Sequence, residues 1–151
     1  MLGILTEEQI EELLTRQVTG RIGCHADGET YIVPINYVYR NGSVYAHSGP
    51  GKKIDMLHKN PKVCFQIDDI RELSSWKSVI AWGTFEVIQE RKEIQQAMQA
   101  LISHIMPAMG KMDGNPSHGI TDDESSIGST VNLILYKIHL DKKTGRFEDM
   151  S

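Results

Sequence analysis

The sequence predicts a mainly β fold, an antiparallel barrel of six strands with two or three helices packed outside it. Three observations carry this prediction. Runs of β-branched and aromatic residues alternate with period two, tight hairpin signals separate several of them, and three other stretches repeat every three to four residues instead. No internal repeat is present, and 151 residues with 40% hydrophobic and 24% charged content fit one folded domain over 1–151.

Thr6-Glu7-Glu8-Gln9 has the form of a capping box, with Ile10, Leu13 and Leu14 at helical spacing behind it, so a first helix starts at Thr6. From Arg21 the period changes to two. GRIGCH, TYIVPINYVYR and SVYAHS read as three antiparallel strands, joined by turns at Asp27-Gly28 and Asn41-Gly42. Pro34 inside the second of these cannot donate a ladder hydrogen bond, which predicts an edge strand or a bulge there, with backbone left to meet a ligand. After Gly49-Pro50-Gly51 the stretch KKIDMLHKN reads as a two-turn helix, closed by Asn60-Pro61 before the strand KVCFQI.

WKSVIAWGTFEVI is too β-branched for a helix and reads as one long strand, bent at Gly83. In the helix that follows, Ile94, Ala97, Met98, Leu101, Ile102 and Ile105 make a single apolar face ended by Pro107. Residues 108–129 are rich in Gly, Ser, Asp and Met without a period, which predicts a long surface loop, either mobile or folded over a site. TVNLILYKIHL is the last strand, and the tail DKKTGRFEDM is expected to turn at Thr144-Gly145.

The formal net charge of -4 gives no general attraction to nucleic acid or to an anionic membrane, so a bound anion must be met by a local positive cluster. No apolar run reaches the length of a membrane span and the first residues do not form a leader, so the expected location is cytoplasmic. Cys24 and Cys64 lack zinc or redox spacing and read as small buried hydrophobes. The six histidines show neither i, i+4 pairing nor a carboxylate pattern, so no metal is expected; no nucleophile elbow or Ser, His and Asp arrangement suggests a hydrolase.

The most informative stretch is HSGPGKKIDML. Lys52 and Lys53 stand in the first turn of a helix, where the macrodipole disfavours positive charge. A glycine-bearing loop, exposed helix N–H groups, two ammonium groups and the Ser48 hydroxyl together make a reasonable phosphate cradle; two solvated lysines on a surface turn fit the same residues. His47 ends a strand beside that loop, where it either serves the site or packs.

The run PINYVYRNGSVYAHSGPGKKIDMLHKNPKVCFQI followed by WKSVIAWGTFEVI resembles the flavin split-barrel superfamily that includes pyridoxamine-phosphate oxidase, and most of all its nitroimidazole-resistance-like branch. The resemblance implies a six-stranded split barrel that binds FMN across the interface of a homodimer. By position, it implies that Val33, Pro34, Ile35 and Asn36 run along the isoalloxazine ring, that His47 and Ser48 meet the ribityl-phosphate end, and that Lys52 and Lys53 hold the phosphate. Lys77 and Ser78 would reach the flavin from the partner subunit, with Arg146 as a weaker addition from the tail.

The edge strand lacks the Arg that pyridoxamine-phosphate oxidases place on the phosphate, and the C-terminal segment lacks their Arg- and His-rich substrate grip, which argues against oxidation of pyridoxamine phosphate. The implied activity is an FMN-dependent reductase that draws on NADH or NADPH and acts on a small aromatic or nitroaromatic compound, with no catalytic acid or base identifiable. Two other readings stay open, a non-catalytic flavin-binding or storage protein and a haem-handling split barrel.

Overall fold

The computed structural model describes residues 1–109 and 133–150. Its elements are β1 (Leu2–Ile4), α1 (Glu7–Arg16), β2 (Thr19–Ala26), β3 (Glu29–Asn36), β4 (Val38–Arg40), β5 (Ser43–Ser48), α2 (Lys52–Lys59), β6 (Lys62–Glu72), β7 (Ser75–Val87), α3 (Arg91–Met109) and β8 (Ile134–Glu148). The strands form one antiparallel sheet in the order β3-β2-β6-β7-β8-β5-β4, with β1 added alongside β8. Apart from Ala108 and Met109, which belong to α3, the loop expected at 108–129 lies outside the described residues.

The fold is the mainly β split barrel, with eight strands where the sequence suggested six. One addition is β1. The other comes from Tyr37, which divides the expected strand TYIVPINYVYR into β3 and β4, the two opposite edges of the sheet. Two edges joined by a single residue cannot lie far apart, so the sheet has to curl round on itself. Tyr37 is wholly buried at that joint; its N–H donates to Val18 O at 2.9 Å and its hydroxyl to Leu14 O at 2.8 Å. Pro34 does lie on an edge strand, because β3 pairs with β2 alone among the described strands.

Inside the curl, Ile22, Phe65, Ile67, Val79, Ala81 and Ile138 meet side chains from α1 and α2 in one apolar cluster. The capping box forms as expected: Thr6 Oγ1 accepts from the Gln9 N–H at 3.2 Å, and Gln9 Oε1 from the Thr6 N–H at 2.8 Å. The helix α1 then buries Ile10, Leu13 and Leu14, and Gln17 just after it donates to Asp68 O at 2.6 Å. At the other ends of these strands α2 is tied by Lys59 to Asp27 at 2.7 Å, and by Asn60, whose side chain donates to His25 O at 2.8 Å. The helix α3 covers the outside of β4, β5 and β8, with its Leu101 and Ile105 packed against Val38 of β4 and Leu135 of β8. It runs through Pro107 instead of stopping there, since proline forfeits one hydrogen bond but follows a long stretch of buried apolar contact.

The tail does not turn at Thr144-Gly145. Instead β8 continues without a break to Glu148, pairing with β7 on one side and β1 on the other. Glycine is required at 145 for close approach, because a Cβ there would sit 2.8 Å from Leu5 and 3.0 Å from Ile10. Where a bend was expected at Gly83, the register of β7 against β8 shifts between Trp82 and Gly83. A Cβ at Gly83 would run into the backbone oxygen of His139, which no rotamer can relieve. Gly83→Ala is therefore expected to destabilise the fold by about 1–3 kcal/mol, measured as a lower Tm in thermal melts. A variant melting with the wild type would show that the bulge yields freely.

Candidate functional site

The stretch Gly49-Pro50-Gly51 leads from β5 straight into α2, and it leaves the start of that helix bare. Gly51 is the N-cap, with extended backbone and no side-chain hydrogen bond to the helix amides. Beyond Asp55 N–H, which donates to Gly51 O at 3.0 Å, the first turn offers N–H groups without a side-chain acceptor, the arrangement that attracts an anion. A Cβ added at Gly49 or Gly51 would meet nothing within 4 Å, so there is room in front of these amides.

The two lysines differ. Lys52 is exposed, pairs with Glu29 at 2.8 Å and holds its ammonium 4.9 Å from the Tyr31 ring centre; its pKa is raised, first by the hydrogen bond to Glu29. Its charge already has a counter-charge within the protein. Lys53 is half-buried, has no carboxylate within ion-pair distance among the described residues, and lies 5.7 Å from the Tyr136 ring centre. Burial lowers its pKa. The electrostatic mismatch expected of both lysines thus falls on Lys53.

The other expected residues separate into two groups. On β3, Val33 packs inward against the core and Ile35 is buried, while Pro34 and Asn36 face outward; Asn36 Oδ1 accepts from Thr19 Oγ1 at 2.8 Å. Tyr31, two residues before Val33 and on the same face, links this strand to Lys52. His47 pairs in register with Leu135 and Ser48 with Ile134, one and two positions from Tyr136 on β8. The Ser48 hydroxyl donates to Gly49 O at 2.8 Å, so its proton serves the loop. The start of α2, the inner side of β3 and the end of β5 are thereby brought to one end of the barrel.

Lys77 and Ser78 are elsewhere, on β7. Consecutive strand residues face opposite ways, so only one of them shares a face with Arg146, which stands opposite Ser78. Ser78 Oγ accepts from Gln66 Nε2 at 3.1 Å. Its outward face is unusually apolar for a surface. In the register of the sheet, Ile32, Gly23, Cys64 and Trp82 form one cross-strand row, Pro34, Arg21, Gln66 and Ile80 the next, and Ile4 stands beside Arg146 beyond them. Ile32 is 67% exposed, Ile4 73% and Trp82 39%. Sequence reasoning did not find Tyr136, Glu29 or Cys24 beside the lysines; Tyr31 was legible from the period-two spacing, whereas Tyr136 lies on a strand distant in sequence.

A sequence profile of the pyridoxamine 5'-phosphate oxidase family matches residues 6–146. The chain is 26% identical over 147 residues to an uncharacterized protein of Rhizobium meliloti, covering 95% of this chain and 93% of that one. Among solved structures it is similar to an FAD-binding protein from Mesorhizobium loti, with a TM-score of 0.77, 25% identity and 99% of both chains covered. It is also similar in fold to a candidate 5-nitroimidazole antibiotic resistance protein from Bacteroides thetaiotaomicron, with a TM-score of 0.72, 24% identity, and 97% of this chain and 87% of that one covered.

Because the folded chain releases the Lys53 proton at lower pH than the unfolded chain does, this residue makes stability rise with pH through the window below its ordinary value of 10.5. Lys53→Met keeps the stem and removes the charge. Without ligand it is expected to melt with or above the wild type at neutral pH, the difference closing as pH rises toward 10.5. Thermal melts across that range check this, and a variant less stable at neutral pH would mean that the Lys53 charge has a stabilising partner.

Proposed function

The chain belongs to the pyridoxamine 5'-phosphate oxidase family, and from that premise we propose that it is a cytoplasmic FMN-binding oxidoreductase that works as a homodimer. It takes electrons from NADH or NADPH and reduces a small aromatic or nitroaromatic compound. The observation that carries this reading is the start of α2, where uncapped helix amides and the Lys53 ammonium, without a carboxylate partner among the described residues, stand together beside the edge strand β3. A phosphate monoester answers both needs at once, and a flavin extending from it along Val33, Pro34, Ile35 and Asn36 would meet the outer edge of β3, which pairs with β2 on its other side and has no further neighbour among the described strands.

Bound flavin supplies the redox chemistry; the residues of this chain anchor its phosphate, fix its ring and govern the access of water and substrate. Lys53 and the α2 amides hold the phosphate, Lys52 adds to the local field while paired with Glu29, and His47 and Ser48 flank the ribityl side. The homodimer is supported by the outward face of β3, β2, β6 and β7, where Ile32, Ile80 and Trp82 lie in adjacent rows instead of scattered singly. A second copy of the chain packed there would cover these groups and bring Ser78, Arg146 and the neighbouring Lys77 toward the first copy's edge strand. An apolar sheet face that is self-complementary about a two-fold axis is the usual basis of such a dimer.

Purified protein is expected to show the visible absorbance of oxidised flavin, and to oxidise NADH or NADPH when a nitroaromatic acceptor is supplied. Flavin without turnover on any acceptor would favour a storage role. Lys53→Ala should weaken FMN binding by roughly ten- to hundredfold, the worth of a hydrogen bond to a charged group at about 1.5–3 kcal/mol, and Lys52→Ala by less. Fluorescence titration reads both. Trp82→Asp places a charge in the apolar face and should convert the dimer to monomer in light scattering, with loss of flavin; a flavin-loaded monomer of wild-type protein would remove the shared-site reading.

A further inference from the structure

Two tyrosines, Tyr37 and Tyr136, are completely enclosed by the protein. The hydroxyl of Tyr37 donates to Leu14 O, as a buried hydroxyl should. That of Tyr136 has no hydrogen-bond partner among the described residues. Such a group bears the full cost of its desolvation, and phenylalanine would pack equally well against Phe85, whose ring centre is 5.3 Å away. A packing role therefore accounts for the ring and leaves the oxygen unexplained.

The neighbourhood of Tyr136 points to a use. The Lys53 ammonium, from the first turn of α2, is the group that covers its ring, 5.7 Å from the centre. Beside them Cys24 donates its thiol to Tyr31 O at 3.6 Å, in the same pocket of core between β2 and α2. The start of α2 has no side-chain cap. The bare amides and the ammonium thus share the first turn of α2, and the ammonium stands over a ring whose hydroxyl has no partner among the described residues.

We propose that Tyr136 is a phosphate-binding residue held in reserve beneath Lys53. Without ligand the ammonium rests on the ring of Tyr136, where a cation–π contact offsets part of its burial. A phosphate on the α2 amides draws Lys53 off the ring toward the anion, and the uncovered hydroxyl then donates to the same phosphate. Burial holds the Tyr136 phenol far above its ordinary pKa, so it keeps the proton it donates throughout the physiological range. The inference rests on reading the start of α2 as the seat of the flavin phosphate, and it adds to that seat a donor from β8.

The test is Tyr136→Phe in the full-length protein, titrated with FMN and with riboflavin, which lacks the phosphate, and melted without flavin. FMN affinity should fall about tenfold or more, riboflavin affinity should hold, and the melting temperature without flavin should hold or rise because an unpaired hydroxyl has been removed. Equal losses for FMN and riboflavin, or a lower melting temperature without flavin, would overturn the proposal by showing that the hydroxyl supports the fold. Unchanged FMN affinity would overturn it too, and Lys53→Ala then locates the fault. If that variant still loses FMN, the phosphate seat stands without Tyr136; if it does not, the seat itself is wrong.

Discussion

The fold depends on one joint. β3 and β4 are opposite edges of the sheet, yet Tyr37 alone separates them in sequence, so every other strand must fit into a curve whose two ends meet at this residue. Its polar groups are accounted for by Val18 and Leu14, and its ring packs edge-on against Phe65 with centres 5.0 Å apart. Because Val18 and Leu14 flank the end of α1, the same contacts hold that helix against the barrel. A second tie works alongside it: Glu11 of α1 accepts from Tyr39 of β4 and from Lys143 of β8, each at 2.8 Å. The joint is thereby clamped to β8, an interior strand of the sheet.

Closing the sheet this way has a consequence for binding. The curl buries one face, α3 covers part of the other, and a sheet that closes on its edges without pairing them leaves the outer side of β3 free of a neighbouring strand among those described. At one end of that strand stands the start of α2, held in place by Lys59 and Asn60 from its far end and by three buried residues, Ile54, Met56 and Leu57, from below. The first turn of α2 is tied by the exposed Lys52–Glu29 pair, and no side-chain cap meets its amides. The uncapped amides, the strand edge and an ammonium without a carboxylate partner among the described residues are the features on which the proposed site for an anionic, planar ligand rests.

The contrast between the buried tyrosines follows the same division. Tyr37 belongs to the half of the barrel that the fold needs, and its hydroxyl is satisfied within the chain. Tyr136 belongs to the half next to α2, and its hydroxyl has no partner among the described residues. Unsatisfied polar groups in a well-packed protein tend to collect where something else completes them.

The local chemistry of this protein was legible in its sequence. The capping box at Thr6, the two hairpin turns, the apolar faces of the helices and the edge position of Pro34 all rest on residues within a few positions of one another, and each follows from hydrogen-bond geometry that a short segment can satisfy alone. So did the resemblance that led to the family, since its ordered residues lie on consecutive elements. What the sequence left open involves pairs far apart along the chain. Nothing local distinguishes Lys52 from Lys53; only the return of Glu29 and Tyr31 on β3 pairs the first, and only the arrival of β8 sets the second over Tyr136. The same holds for Gly145, read as a turn because glycine is permissive, when its lack of a side chain is needed for the approach of Leu5 and Ile10. Local propensity decides which elements form, while charge pairing, desolvation and steric fit depend on which elements meet, and that is decided only when the sheet closes.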